Sequence, residues 1–257
     1  MNRRRFLAWA ACAAPGLTAV AEPLRPVVMA TGEWPPYTSA SLPGNGLLCD
    51  LVEQAMVRAG ARPVWRFVSW PMVEKLVLEG QALAGLPYVR TQERAQRFDY
   101  SVPLHAGRTM LFYRVGSQAQ QLHPKSLAEL SRYKVAGPRG YWWEAELNRM
   151  GAELLYTSDE AAAFKVLAAG RVDFVPQDEL VGLSVIAATL PGRVQEFGAM
   201  PLPVPQANEQ LHLILSRRYP QAAEWRLRLD KALTEVLAEG QLDKAIAAYK
   251  ASQQAAP

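Results

Sequence analysis

The segment TQERAQRFDYS, Thr91–Ser101, follows the apolar run ALAGLPYV at residues 82–89, with Arg90 between them. A short apolar run that is bounded by polar residues predicts a buried strand. Arg94 therefore lies just beyond the carboxyl end of that strand. Ligands of open α/β sheets bind at the carboxyl ends of strands, so the segment places a permanently charged side chain at a favourable position for a ligand.

Strand-like and helix-like segments alternate on both sides of this run, which predicts an α/β fold. The predicted strands cover residues 26–32, 63–70, 82–89, 109–115, 133–140 with its loop, 153–157, 172–176 and 211–216. The predicted helices cover residues 47–60, 71–80, 126–132, 141–151, 158–170, 177–190, 221–239 and 241–250.

One internal similarity predicts two lobes. The segments VLEGQALAGLPY at 77–88 and LAAGRVDFVPQD at 167–178 both run from a helix through a glycine into a short apolar strand. Each then reaches a polar or aromatic residue. Two strand ends of this kind, one in each half of the chain, predict two lobes that face a shared ligand cleft.

The amino-terminal sequence MNRRRFLAWAACAAPGLTAVAEP predicts a secretory leader that is cleaved after Ala21. Arg3–Arg5 precede a short apolar stretch, and this arrangement also fits a twin-arginine export signal. Ordinary export is the favoured interpretation. A lipid anchor at Cys12 is disfavoured, because Trp9 stands where a lipoprotein signal has leucine. The mature protein is expected in the periplasm.

Removal of the leader takes away three arginines and no acidic residue, so the formal net charge falls from +4 to +1. A nearly neutral chain does not indicate a nucleic-acid or polybasic membrane surface. Cys49 alone remains, so no intramolecular disulfide can form. No later segment approaches the roughly 18 apolar residues of a membrane-spanning helix. The expectation is an exported globular monomer without a cofactor.

Arg94 and Asp178 are the candidate ligand-binding charges. A guanidinium group matches a carboxylate in a bidentate manner, but Arg94 also fits a solvated helical face with Glu93 and Arg97. Asp178, at the second strand end, suits an ammonium group, but an acid at a helix start also caps the helix. Across one cleft, the two residues would supply the opposite charges that a zwitterionic amino acid needs.

Aromatic residues in loops or at a helix start are further candidates. Trp34, Tyr37, Tyr141 and Trp142 lack the spacing of core residues, and their faces suit a cation or an apolar group. The helix start predicted at 141–143 would point backbone N–H groups outward, which favours a carboxylate. The neighbouring tryptophan at position 143 is expected to belong to the core.

Several of these features resemble the polar amino-acid-binding proteins of bacterial ABC importers, solute-binding protein family 3. The segments EWPPY, LLCDLVEQAMVRAG, TQERAQRFDYS, GPRGYWW and GRVDFVPQDE carry the resemblance, which extends from about Pro26 to Tyr249. It implies a periplasmic-binding-protein type II fold, in which two α/β lobes close by hinge motion on a ligand in the cleft between them. The implied division is a leader at 1–21, a first lobe at 22–111 and 209–257, and a second lobe at 112–208.

The resemblance also implies roles for individual residues. Arg94 would grip the carboxylate of the substrate, Asp178 would accept from its α-ammonium, and Trp34 would stack on its side chain. A helix amino terminus at Tyr141 and Trp142 would complete the carboxylate site. The predicted ligand-binding set is Arg94, Asp178, Trp34, Tyr141, Trp142, Tyr88 and Tyr37.

The chain departs from the family pattern in its pocket. Pro87-Tyr88-Val89 stands where relatives often have small hydroxyl residues, and Tyr141-Trp142 stands where they have serine or threonine. The acid that some relatives use for a basic side chain falls at Thr31. A narrow aromatic pocket is expected, suited to a small amino acid or a related carboxylate.

The leading functional prediction is a binding protein, not an enzyme, that delivers its ligand to an inner-membrane ABC permease. Neither a Gly-x-Ser-x-Gly elbow nor a cluster of metal-ligand spacing occurs in the sequence. Two alternatives stay open. One is an enzyme of the same fold that resembles cyclohexadienyl or arogenate dehydratases, with Glu33, Glu144 or Glu179 as an acid or base. The other is a sensor that presents its ligand to a membrane receptor.

Overall fold

The computed structural model describes residues 24–202 and 210–255. The predicted leader, the residues around its cleavage site and most of the proline-rich stretch at 201–210 lie outside the described residues. Within the described ranges, no helix has both the length and the apolar character needed to span a bilayer.

The described residues form eleven strands. They are β1 (Arg25–Thr31), β2 (Ala61–Phe67), β3 (Ala84–Val89), β4 (Asp99–Tyr100), β5 (His105–Ala106), β6 (Thr109–Arg114), β7 (Val135–Pro138), β8 (Leu154–Thr157), β9 (Val175–Asp178), β10 (Phe197–Pro201) and β11 (Gln210–Leu215).

The α-helices of the same residues alternate with these strands. They are α1 (Leu47–Arg58), α2 (Trp70–Leu78), α3 (Gln92–Arg97), α4 (Leu127–Leu130), α5 (Glu144–Arg149), α6 (Glu160–Ala168), α7 (Glu179–Thr189), α8 (Ala222–Ala238) and α9 (Gln241–Ala255).

The strands pair in two separate regions. The first sheet has the order β2-β1-β3-β11-β4, and β5 also pairs with β11. The second region holds a sheet of order β10-β6-β9 and the pair β7-β8, and a bridge between Val135 and Phe174 brings β7 beside the chain that enters β9. The chain leaves the first sheet after β5 and returns to it at β11. This path produces two α/β lobes.

The whole of β6 belongs to the second region, because Thr109 is already in register with Asp178 of β9. The lobe boundary expected between residues 111 and 112 therefore falls inside β6. The other expected boundary, between residues 208 and 209, lies outside the described residues.

Helix α1 shows how the apolar pattern builds the first lobe. Its buried residues recur at the spacing of one helical face, and complete burial of each Leu or Val contributes about 1.5–3 kcal/mol. The same core extends to α8 and α9 and contains the buried Cys49. The buried residues of α1 are Leu48, Cys49, Leu51, Val52, Ala55 and Met56.

Several predicted element ends differ from those in the structure, among them two that lie near the cleft. The strand expected at 63–70 ends at Phe67 as β2, and Trp70 opens α2, because Ser69 takes the extended conformation of an N-cap and Pro71 fits the first turn. The helix expected from residue 141 begins at Glu144. Residues 141–143 form the turn that leads into α5.

Candidate functional site

A cleft between the two lobes brings together six of the seven predicted ligand-binding residues. Its cavity measures about 80 Å³, which is small beside the roughly 300–1,000 Å³ of pockets that hold drug-sized ligands. Trp70, Gln177, Thr109 and Gly140 also line it. The predicted residues in the lining are Arg94, Asp178, Trp34, Tyr88, Tyr141 and Trp142.

Arg94 reaches the cleft from the first turn of α3. Thr91 caps this helix by accepting from the backbone N–H of Arg94 at 3.2 Å. The guanidinium lies 5.0 Å from the ring centroid of Tyr88, and its Nη2 donates to the carbonyl oxygen of Gly140 at 2.7 Å. Because Gly140 belongs to the second lobe, this hydrogen bond crosses the cleft.

The alternative interpretation was a solvated helical face with ion pairs. It applies to Glu93 and Arg97 but not to Arg94. Arg97 pairs with Glu93 at 3.4 Å, and the side chain of Glu93 is 77% exposed. The side chain of Arg94 is only 12% exposed. One helix thus presents an ion pair to solvent and a partly buried arginine to the cleft.

Glu74 is a residue of this site that the sequence interpretation missed. Its Oε1 accepts from Nε of Arg94 at 2.9 Å, and its Oε2 accepts from Nη2 of Arg97 at 2.7 Å. Glu74 therefore joins the two guanidinium groups, and Glu93 is a second partner of Arg97. No sequence signal singled out Glu74, because it lies beside Lys75 in a helix whose other residues are apolar.

Asp178 ends β9 and caps α7. Its Oδ1 accepts from the backbone N–H groups of Leu180 and Val181 at 2.9 and 3.3 Å. Its Oδ2 accepts from the backbone N–H of Arg108 at 3.2 Å. Burial raises the pKa of this carboxyl group to about 6, although the backbone hydrogen bonds oppose the rise. Asp178 therefore caps a helix and also lines the cleft.

Tyr37 is the predicted residue that does not line the cavity. Its side chain is 1% exposed and lies behind Asp178, to whose Oδ2 its hydroxyl donates at 3.5 Å. Burial, together with the charge of Asp178, raises the pKa of Tyr37 well above its ordinary value. Tyr37 is thus placed to orient Asp178 rather than to touch a ligand.

Trp34 lies in a tight turn that follows β1. A backbone bridge between Trp34 and Thr38 closes the turn, and the hydroxyl of Thr38 donates to the carbonyl oxygen of Gly32 at 2.8 Å. The ring of Trp34 is 9% exposed and lies 5.0 Å from the ring of Tyr37, measured between centroids. The turn therefore fixes one aromatic wall of the cleft beside Asp178.

The hydroxyl of Tyr141 is the centre of a second network across the cleft. It accepts from Nε1 of Trp34 at 3.0 Å and from Nε2 of Gln177 at 2.7 Å. It donates to Oε1 of Glu160 at 2.7 Å. Burial raises the pKa of both Tyr141 and Glu160. The hydrogen-bonding capacity of this hydroxyl, one donor and two acceptor positions, is fully used.

The loop before α5 differs from the predicted anion site. The backbone N–H of Gly140 donates to Oε2 of Glu144 at 2.6 Å, so this N–H group is already bonded to a carboxylate of the protein. Trp142 lines the cleft from the turn. Trp143 is 2% exposed, as expected of a core residue, and the ring of Tyr141 stacks on it at 5.5 Å between centroids.

Trp70 is a second residue that the sequence interpretation missed. Its carbonyl oxygen accepts from the hydroxyl of Tyr88 at 3.3 Å, and its ring meets the ring of Tyr88 edge-on. The ring also packs closely over Gly32, where an added Cβ would lie 2.7 Å from it. The sequence prediction placed Trp70 in a strand, so its position in the cleft was missed. The composition of Ser69-Trp70-Pro71 is nevertheless that of a helix start.

Two α/β lobes, joined where the chain leaves the first sheet and where it returns at β11, have the type II periplasmic-binding-protein fold. A partly buried arginine and a buried acid lie in the cleft between them. The chain belongs to the bacterial extracellular solute-binding proteins, family 3, whose family model matches residues 27–252. No significant match to a curated protein was found.

Solved structures with a similar fold include proteins of several kinds. The GluR0 ligand-binding core from Nostoc punctiforme, in complex with L-glutamate, is 22% identical, with a TM-score of 0.69 over 85% of this chain and 96% of that one. AbpA from Streptococcus pneumoniae, bound to L-arginine, is 18% identical, with a TM-score of 0.70 over 89% of this chain and 95% of that one. A histidine kinase sensor domain is 20% identical, with a TM-score of 0.72 over 88% of this chain and 96% of that one.

Proposed function

We propose that this protein captures a small amino acid or a related carboxylate in the periplasm and delivers it to an ABC importer. One observation carries the proposal: Arg94 of the first lobe and Asp178 of the second line the same buried cleft. A zwitterion between them would bring a carboxylate to the guanidinium and an ammonium to the acid. Membership of solute-binding family 3, and solved relatives named for amino-acid complexes, support this class of ligand.

Arg94 keeps donors for a ligand after its internal bonds are counted. A guanidinium carries five N–H groups, of which Glu74 takes the one at Nε and Gly140 takes one at Nη2. A ligand carboxylate would bind the remaining N–H groups and displace or share the Gly140 carbonyl oxygen. Capture at micromolar concentration requires a binding free energy of about −8 kcal/mol. Closure of the lobes around two charged contacts would supply this free energy.

Export and hinge closure complete the proposal. The leader is removed after Ala21, and the mature protein is a monomer with a first lobe at 22–108 and from residue 210 onward. The second lobe spans 109–202. The hinge lies where the chain passes between the two sheets, and an inner-membrane permease recognises the closed form.

The test is isothermal titration calorimetry of the mature protein with L-amino acids and small carboxylates, on wild type and Arg94→Ala. Binding that Arg94→Ala abolishes supports the proposal. Arg97→Ala is the matched control, because Arg97 shares Glu74 with Arg94 but is not among the residues that line the cleft. Equal loss in both variants, or undiminished binding to Arg94→Ala, would contradict the proposed role of Arg94.

Analysis of the ligand after incubation distinguishes a binding protein from an enzyme. After prolonged incubation with the protein, the ligand should be returned chemically unchanged, as followed by NMR. Conversion of a prephenate-like compound by wild type, but not by Arg94→Ala, would instead favour the dehydratase-like alternative.

A further inference from the structure

The cleft is aromatic on the side where the cationic group of a ligand would lie. Asp178 accepts from the hydroxyl of Tyr37, whose ring is 5.0 Å from that of Trp34. Trp34 and Trp142 both line the cavity. A cation that approaches Asp178 therefore has aromatic rings in the walls around it as well as a carboxylate, and the faces of aromatic rings attract cations.

The side-chain oxygens of the cleft wall already have partners. Oε1 of Gln177 accepts from the backbone N–H of Asp178 at 2.7 Å, and the hydroxyl of Tyr141 is fully used. The hydroxyl of Tyr88 donates to the carbonyl oxygen of Trp70, and Thr109 also has an interaction partner. Both oxygens of Asp178 accept hydrogen bonds from the chain. The side-chain oxygens of this wall therefore have little remaining acceptor capacity for the N–H groups of a ligand.

A primary ammonium group suits such a wall poorly. It brings three N–H donors, and each donor that is buried without an acceptor is costly. Replacing N–H by N–CH₃ removes that requirement and adds apolar surface, which the tryptophan faces can contact. The positive charge remains, and Asp178 forms no ion pair among the described residues that would compete for it.

We propose that the cleft selects a compact carboxylate whose ammonium group is N-alkylated, as in a betaine. The carboxylate binds at Arg94, and the alkylated ammonium lies between Asp178 and the ring of Trp34. The small cavity, about 80 Å³, suits a compact ligand of this kind. This inference rests on the proposed function and names the ligand class of the same site.

The test is calorimetry with two series that differ only in N-methylation. The first series runs from glycine through N-methylglycine and N,N-dimethylglycine to glycine betaine. The second compares L-proline with its N,N-dimethyl betaine. The Kd should fall along each series, by at least about tenfold from the unmethylated to the fully methylated compound.

Two variants of Trp34 isolate the aromatic face. Trp34→Phe and Trp34→Leu both lose the Nε1 donor to Tyr141, but only Trp34→Phe keeps an aromatic ring. The preference for methylated compounds should survive in Trp34→Phe and disappear in Trp34→Leu. Thermal unfolding shows whether both variants are folded. If either is not, the change in affinity with N-methylation in the wild-type protein decides between the two outcomes.

The outcomes also separate this inference from the proposed function. Tighter binding of glycine, proline or another ordinary amino acid through Arg94 would overturn the inference and leave the proposed function intact. Failure of both series to bind would overturn the inference alone, and failure of every amino acid and small carboxylate as well would overturn the proposed function too.

Discussion

Nε1 of Trp34, in the first lobe, donates to the hydroxyl oxygen of Tyr141, in the second lobe, across 3.0 Å. The same hydroxyl binds Gln177 and Glu160 within its own lobe. The contact therefore connects the turn after β1 to the interior of the second lobe. Together with the hydrogen bond from Arg94 to Gly140, it holds the two lobes against each other through side chains of the protein itself.

Substitution Tyr141→Phe should destabilise this closed arrangement. Trp34 and Gln177 would each lose an acceptor, and Glu160 would lose a donor. The free energy of unfolding should fall by about 1–3 kcal/mol, as for a buried polar group that loses its partner. Denaturant unfolding measures this change. Small-angle scattering should show a larger radius of gyration for the ligand-free variant, because fewer bonds cross the cleft.

Tyr156→Phe is the matched control for that substitution. The hydroxyl of Tyr156 bonds Asn148 at an exposed position within the second lobe. This variant should unfold within about 0.5 kcal/mol of wild type, as surface substitutions usually do. Equal losses of unfolding free energy in the two tyrosine variants would show that the hydrogen bonds across the cleft stabilise the protein no more than an exposed hydrogen bond does.

Substitution Glu74→Ala should weaken ligand binding without removing a residue that lines the cleft. Glu74 fixes the guanidinium of Arg94 through Nε, so its loss lets the side chain sample other rotamers. Affinity for a carboxylate ligand should fall by about tenfold, or ~1.4 kcal/mol. Glu74→Gln keeps an acceptor and should retain more affinity than Glu74→Ala. Glu93→Gln, which affects Arg97 alone, should bind like wild type. Unchanged affinity in Glu74→Ala would mean that Tyr88 suffices to hold Arg94.

Asp178 should make stability depend on pH in a defined direction. Its pKa rises from 3.8 to about 6 on folding, so the folded state binds more protons between these values. The contribution of Asp178 is fully present below about pH 4 and is lost as pH rises through about 6. The loss amounts to about 3 kcal/mol for a shift of this size. Asp178→Asn, which keeps a capping side chain, should lack this decline in a comparison of denaturant unfolding at pH 4 and pH 7.

The same ionisation should govern ligand affinity. A ligand cation requires the charged form of Asp178, so affinity should rise between pH 5 and pH 7 and level off above. Calorimetry in buffers of different ionisation enthalpy should show proton release on binding near pH 5. Glu160→Gln serves as the control, because the pKa of Glu160 is also raised. Loss of the pH dependence in that variant would assign the proton to Glu160 instead.

Substitution Gly32→Ala should displace Trp70 from the cleft wall. An added Cβ would lie 2.7 Å from Cε2 of the indole ring, so the ring must move. Overpacking of this kind costs about 1–3 kcal/mol of stability, which thermal or denaturant unfolding will show. The double variant Gly32→Ala/Trp70→Leu should recover part of the loss, since the clash disappears. Purely additive effects would indicate that the two residues do not interact.

Much of the fold could be predicted from local patterns. The face of α1 that carries Leu48, Val52 and Met56 recurs at helical spacing, and the alternation of strands and helices indicated an α/β protein. Element ends were less accurate, because α2 begins at Trp70 and α5 at Glu144, where a single turn of backbone decides the boundary. Glu74 and Trp70 were missed for related reasons, since a helical acid and a strand-like tryptophan carry no functional signal by themselves.

Local sequence was sufficient to mark Arg94 and Asp178 as charges beyond strand ends, because strand and helix patterns extend over only a few residues. Their environment depends on contacts between distant parts of the chain. Arg94 meets the carbonyl oxygen of Gly140 from 46 positions away, and Trp34 meets Tyr141 from 107 positions away. Such contacts depend on how two lobes pack, so tertiary structure alone reveals that Tyr37 stands behind Asp178 and that Tyr141 is bonded within the protein.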